Sequence, residues 1–344
     1  MIIPINFEKK RDEIQGRVNA ATELKTLNDK LKAHNWMFIH PNLFMTELNR
    51  LLKLADNPSA EQAAVTQIFA DLFYDFRVTS FFIDGLLKTN TYIAPFSLHI
   101  DQAVMLAVTH NYAGAIHLLI PAIEGSLRKY MIDIRGKTDR EIMRASDQLK
   151  VFGLLEADYI ATKEPDFKAQ LDAGHIDQSK YLRLVDLERQ YIKTWYGMIE
   201  DYLRHNLYMD TSKGSISDDL NRHALVHGFE SQVDYNLSNF LKIFNAVQYV
   251  AWAFQVSDPA IPQIMTLENE DILYKWSALE KLKLLNALTD PVKLAVYSKC
   301  PDFDASDFTF SPTQNRFPPL DPGKPIVPQL GKIDQMLADM WPGT

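Results

Sequence analysis

Apolar residues recur along most of the chain at spacings of three and four, the period of a helix buried on one side. Leu24, Leu27 and Leu31 form such a stripe inside a charge-rich stretch that predicts a helix over residues 8–34. Trp36 to Pro41 breaks the pattern and predicts a buried turn, with His40 held by local structure before Pro41. Residues 43–55 and 60–88 predict two further helices. Ser59 suits a cap for the second, whose stripe of Val65, Ile68, Phe69, Phe73 and Phe76 reads as core.

A break at Thr89–Pro95 is followed by helical patterns over Ser97–Asn111 and Tyr112–Arg135, as two helices or one kinked at Pro121. Residues 151–176 are mixed and punctuated by Gly153, Pro165 and Gly174, with His175 in a loop. A long helix is predicted from Gln178 to Leu207, closed by Arg204 and His205. Another runs through Leu237, Phe240, Phe244, Val247 and Phe254, starting at Asp234 or Asn236 and ending at Ser257-Asp258-Pro259. Residues 267–298 predict one or two helices broken at Thr289-Asp290-Pro291. The prolines from Pro312 to Pro342 predict an extended, wrapped or disordered tail.

The fold class expected is therefore all-α. The chain has 344 residues, only 13 glycines, 47% hydrophobic and 23% charged residues, the composition of a soluble protein with a sizeable core. The net charge of −8 argues against a general nucleic-acid coat, so RNA contact requires locally concentrated cations. Cys300 is the single cysteine, which excludes an internal disulfide framework and a multi-cysteine zinc site and fits a reducing cytoplasm. The N-terminal residues Met1–Phe7 show no signal peptide, and no apolar run is long enough to span a membrane. Phosphate-cradling glycine loops and serine-nucleophile elbows are absent from the sequence.

Candidate chemistry is concentrated in Asp218-Asp219-Leu220-Asn221-Arg222-His223-Ala224-Leu225-Val226-His227-Gly228. The two aspartates suit a helix's first turn and Gly228 its end, so the stretch predicts a short helix carrying one Arg and two His. An imidazole exchanges protons near neutrality, and a guanidinium stays charged and offers a planar fork to phosphate oxygens. An Arg and a His without an acidic cluster suit metal-free cleavage of an RNA phosphodiester, in which a base takes the 2′-hydroxyl proton and a cation stabilises the phosphorane.

Arg222-His223-Ala224-Leu225-Val226-His227 resembles the Arg-(polar)-x-x-x-His signature of the HEPN superfamily (higher eukaryotes and prokaryotes nucleotide-binding). Gly228 fits the same pattern, and Ala115-Ile116-His117-Leu118-Leu119-Ile120-Pro121-Ala122-Ile123-Glu124-Gly125-Ser126-Leu127-Arg128 looks like an early helix of some long relatives. The resemblance covers roughly residues 100–256. It implies an all-helical, usually dimeric protein, and in many members a metal-independent endoribonuclease of bacterial defence, toxin or stress systems.

On that expectation Arg222 and His227 are the catalytic pair, His223 positions one of them or shares the proton work, and Asn221 holds a phosphate or caps the helix. The substrate is single-stranded RNA, no cofactor or metal is implied, and a homodimer with a possible regulatory protein partner is expected. The corresponding division is an N-terminal helical region over 1–95, a HEPN-like bundle over 96–257, and C-terminal helices with a Pro-rich tail over 258–344.

The dimer that the resemblance implies answers a difficulty of geometry. Arg222 and His227 are five residues apart, about 140° around a straight helix, whereas His223 and His227 share a face. One phosphate meets both Arg222 and His227 if the helix is irregular, if Arg222 reaches round, or if a second copy completes the site. Three other readings stand beside this one. The histidines are hydrogen-bonded core residues with Arg222 paired to Asp218 or Asp219; the motif shape serves only dimerisation; or His223 and His227, with Glu230 as third ligand, serve a metal-dependent hydrolase.

Two further groups are candidates. His117, Glu124 and Arg128 lie near one line on their predicted helix, either as a structural ion pair or as a shell around Arg222 and His227. Arg135, Lys137, Arg140, Arg144 and Lys150 form a local basic patch, with a capping box of Thr138 and Glu141, that suits either RNA contact or a solvated face.

Overall fold

The computed structural model describes residues 3–39, 45–57, 62–142, 144–208, 235–258 and 270–297. Every regular element among them is a helix, so the all-α expectation holds. The helices are α1 (Phe7–Leu31), α2 (Met45–Ala55), α3 (Gln62–Tyr74), α4 (Phe76–Ser80), α5 (Ser97–Val108) and α6 (Tyr112–Arg135). They continue as α7 (Ala145–Leu149), α8 (Val151–Asp172), α9 (Gln178–Asn206), α10 (Leu237–Ser257) and α11 (Glu270–Tyr297). A π-helical stretch over Phe81–Leu87 extends α4.

Short polar side chains start several of these helices. Asn6, Asn111, Asp177 and Asn236 each accept a hydrogen bond from the backbone N–H three residues on, satisfying a donor that the first turn leaves open. Gly136, with φ at +59°, ends α6 in the left-handed conformation that a side chain disfavours.

α10 lies at the centre. Nearly every one of its residues is buried, and it packs against α3, α6, α8, α9 and the π-helical stretch. α5 and α6 form one hairpin and α8 and α9 another. α1 runs along α9, so helices from the first 95 residues share one continuous apolar core with those that follow. α11 crosses α4, α5 and the π-helical stretch.

Polar ties fix these contacts. Arg17 on α1 donates to Glu188 on α9 at 2.6 Å, and Tyr159 on α8 donates to the other oxygen of that carboxylate at 2.8 Å. Burial of the Tyr159 hydroxyl, reinforced by the Glu188 charge, raises its pKa. Lys88 bridges Asp84 at 2.8 Å and Asp101 at 3.0 Å, while Lys275 from α11 meets Asp101 at 2.5 Å. Burial raises the Asp84 carboxyl above the ordinary range although both lysines oppose it. The extended stretch Trp36–Ile39 is buried as expected. Asn28 holds it with a two-way pairing to the Phe38 backbone, at 3.0 Å to the carbonyl and 2.8 Å from the N–H.

Three boundaries differ from the sequence expectation. The pattern over 60–88 is interrupted at Asp75 and ends in the π-helical stretch. The punctuated stretch 151–176 is instead one helix, α8, with Pro165 inside it. An interior proline costs about 3 kcal/mol, and close packing along α9 offsets it. α11 likewise runs through Thr289-Asp290-Pro291 without a break, since a proline removes one helical hydrogen bond and need not end the helix. The Ser59 cap and the Pro-rich tail lie outside the described residues.

Candidate functional site

Asn221, Arg222, His223 and His227 all lie outside the described residues, as do Asp218, Asp219, Gly228 and Glu230. The structure describes the residues from which that stretch departs and to which it returns. Tyr235 meets α6 directly, and Tyr208 reaches the same face through Gln148.

The exit is at Tyr235, immediately before the Asn236 cap of α10. Its hydroxyl lies 3.1 Å from Nε2 of His117, and the two rings approach at 5.6 Å. His117 is exposed, so its imidazole is open to solvent on its remaining sides.

The entrance is at Tyr208, just past the end of α9. With the Gln148 amide turned so that its oxygen faces Arg128, Arg128 donates from Nε at 3.1 Å and from Nη2 at 3.3 Å, and the amide nitrogen donates to the Tyr208 hydroxyl at 3.1 Å. That orientation gives each amide atom a complementary partner. Burial drives the Tyr208 hydroxyl well above its usual pKa, so it stays protonated. Arg128 also faces Glu124 at 3.9 Å, the pair predicted from their spacing.

His117 and Arg128 are eleven residues apart, about 16 Å along a helix axis. The polar line predicted on α6 is thus real, and residues 209–234 start from one end of it and finish at the other. Sequence reasoning missed Gln148, Tyr208 and Tyr235. None carries a motif, and their roles depend on how α7, α9 and α10 meet α6.

The basic patch is less basic than its sequence. Arg135 pairs with Asp158 and donates to the Leu154 carbonyl at 3.3 Å. Lys137 pairs with Glu141 at 3.0 Å and Lys150 with Asp147 at 2.7 Å. Arg140 and Arg144 are exposed and have no ion-pair partner among the described residues. The capping box is half formed: Thr138 donates from its backbone N–H to Glu141 at 2.9 Å and from its hydroxyl at 3.0 Å, around a single 3-10 turn. The Thr138 backbone N–H, then Lys137 and then the Thr138 hydroxyl hold the Glu141 carboxyl down at about 2.

Among the described residues no three His, Cys, Asp or Glu side chains gather closely enough to hold a metal ion, and no helix is long and apolar enough to cross a membrane. No family model, curated protein or solved structure matches the chain.

Proposed function

We propose that the chain is a metal-independent endoribonuclease that cleaves single-stranded RNA through Arg222 and His227, in the manner of the HEPN superfamily. The observation that carries this reading is the motif itself, Arg222-His223-x-x-x-His227-Gly228, at its place in an all-helical chain. Tyr208 and Tyr235, the described residues that flank 209–234, both connect to the face of α6 that bears His117, Glu124 and Arg128, and this supports the reading.

The chemistry balances without a cofactor. A base removes the 2′-hydroxyl proton and the 2′-oxygen attacks phosphorus. The bond to the 5′-oxygen breaks and that oxygen takes a proton from an acid, leaving a 2′,3′-cyclic phosphate and a 5′-hydroxyl. His227 exchanges a proton, Arg222 meets the negative charge of the phosphorane, and His223 positions one of them or shares the proton transfer. Single strands are favoured because in-line attack needs a backbone free to rotate. A two-fold dimer brings Arg222 of one copy toward His227 of the other, and a bacterial defence or toxin-like role follows the family habit.

The test is cleavage of a labelled single-stranded RNA in EDTA. Activity that persists in EDTA and disappears in both Arg222→Ala and His227→Ala is expected. Activity that needs a divalent cation, or that survives both substitutions, overturns the reading.

A further inference from the structure

Asn245 and Gln248 are two of the four carboxamides on α10. Asn245 and Gln248 are three residues apart and so lie on one side of the helix. Both line a cleft walled by Phe69 and Phe73 of α3, Phe82 of the π-helical stretch, and Phe244. Gln248 is only 5% exposed. Nδ2 of Asn245 is buried without a hydrogen-bond partner, and Gln248 has none among the described residues. Among the described residues no charged side chain lines the cleft.

The shape of the space matters. It holds about 420 Å³ free of atoms out to its mouth, of which only about 30 Å³ admits the centre of a water molecule. Most of this slot is thus too narrow for a freely placed water molecule. A buried amide left unpaired costs about 1–3 kcal/mol, and the unpaired Nδ2 of Asn245, with Gln248 beside it on the same slot, marks a place where an occupant meets them.

We propose that this slot binds a flat, uncharged heterocycle carrying adjacent donor and acceptor atoms, the chemistry of a nucleobase. The phenylalanine side chains offer apolar surface against which a ring can pack. Each carboxamide offers a donor and an acceptor to the edge of the ring, as Asn and Gln do when they read a base. The uncharged lining selects a base or nucleoside over its phosphorylated form. π-helical segments recur at functional sites, and here one supplies a wall. None of the residues lining the cleft belongs to the motif stretch, and the proposal does not rest on the ribonuclease reading.

The test uses the full chain. Adenosine, guanosine, cytidine and uridine are each titrated to their solubility limit, with ribose as control, while the side-chain amide signals of Asn245 and Gln248 are followed by NMR. At least one nucleoside is expected to bind saturably and to shift both signals, and ribose to do neither. Competition by a single-stranded oligonucleotide distinguishes an unpaired base within a strand from the free nucleoside.

Asn245→Leu and Gln248→Leu are each expected to weaken binding about tenfold or more. Thermal stability should stay level or rise, because an apolar replacement removes an unpaired amide. Phe82→Leu, which keeps the core apolar, is expected to weaken binding by loss of stacking. No saturable binding by any nucleoside, binding unchanged in both leucine variants, or a fall in stability of both (the mark of structural waters alone) overturns the proposal.

Discussion

The ring of Phe96 occupies the space that a side chain on Gly125 would need: a Cβ built there falls 2.1 Å from Cζ of Phe96. Gly125 sits on the α6 turn that carries Glu124 and Arg128, so the fit of α5's leading residues against α6 depends on a missing methyl group. Gly125→Ala is expected to destabilise the protein by about 1–3 kcal/mol, the range for overpacking. Phe96→Ala should recover part of the loss in the double variant. Chemical denaturation of the four members of this cycle measures the coupling.

Asn28 substitutes for a strand neighbour to the extended Phe38 backbone, with both hydrogen bonds buried. Asn28→Ala leaves a buried N–H and C=O of Phe38 without these partners. A loss of about 1–3 kcal/mol is expected, measured as a lower denaturation midpoint. An unchanged midpoint would show that Asn28 does not hold this stretch.

If Gln148 and His117 position the motif stretch through Tyr208 and Tyr235, Gln148→Leu and His117→Ala should slow RNA turnover while leaving KM near its original value. About tenfold in kcat is expected, short of the 10²-fold that a 1 Å misplacement can cause. Steady-state kinetics on a short RNA reads the split. A rise in KM alone would make these residues substrate contacts, not positioning residues.

Arg140 and Arg144 are the members of the basic patch that keep their charge unneutralised. Each phosphate contact on a single strand contributes about 0.7 to the slope of log affinity against log salt. The double change to Ala is expected to weaken binding and to lower that slope by about 1.4 if both meet phosphates. Lys137→Ala with Lys150→Ala should do less, since both ammonium groups already face carboxylates. Binding measured over a salt series in the His227→Ala background keeps cleavage out of the reading.

Glu141 gives a pH signature. Its carboxyl is held at about 2 in the folded protein, chiefly by the Thr138 backbone N–H and next by Lys137. A depressed carboxylate contributes its interaction in full above its unfolded pKa and loses it as pH falls through the folded value. The 3-10 turn should therefore keep its order through mild acid and release Thr138 only near pH 2. Carboxyl-detected NMR titration checks this, and Thr138→Pro, which removes the N–H, should raise the midpoint.

The long helices were legible because their chemistry is local. The Asn236 cap, the apolar stripe behind it and Pro259 delimit α10, and Leu182, Trp195, Met198 and Tyr202 outline α9. α8 was not legible, because Gly153 and Pro165 are punctuation whose effect depends on the packing of α9. The spacing of Glu124 and Arg128 foretold their pairing, since residues four apart on a helix are neighbours wherever the helix sits. Gln148 with Tyr208, His117 with Tyr235, and the slot beside Asn245 and Gln248 join residues far apart in the chain, and no local pattern encodes such meetings.

The two anchors on α6 have a topological corollary. α10 is gripped by α3, α6, α8 and α9 on its own account, so the covalent bridge between Tyr208 and Tyr235 is not what keeps it in place. A chain split anywhere inside that bridge should reassemble from its two pieces when they are co-produced. The scaffold can thus tolerate turnover of the sequence that bears its candidate chemistry, while the helices beneath remain a fixed mount.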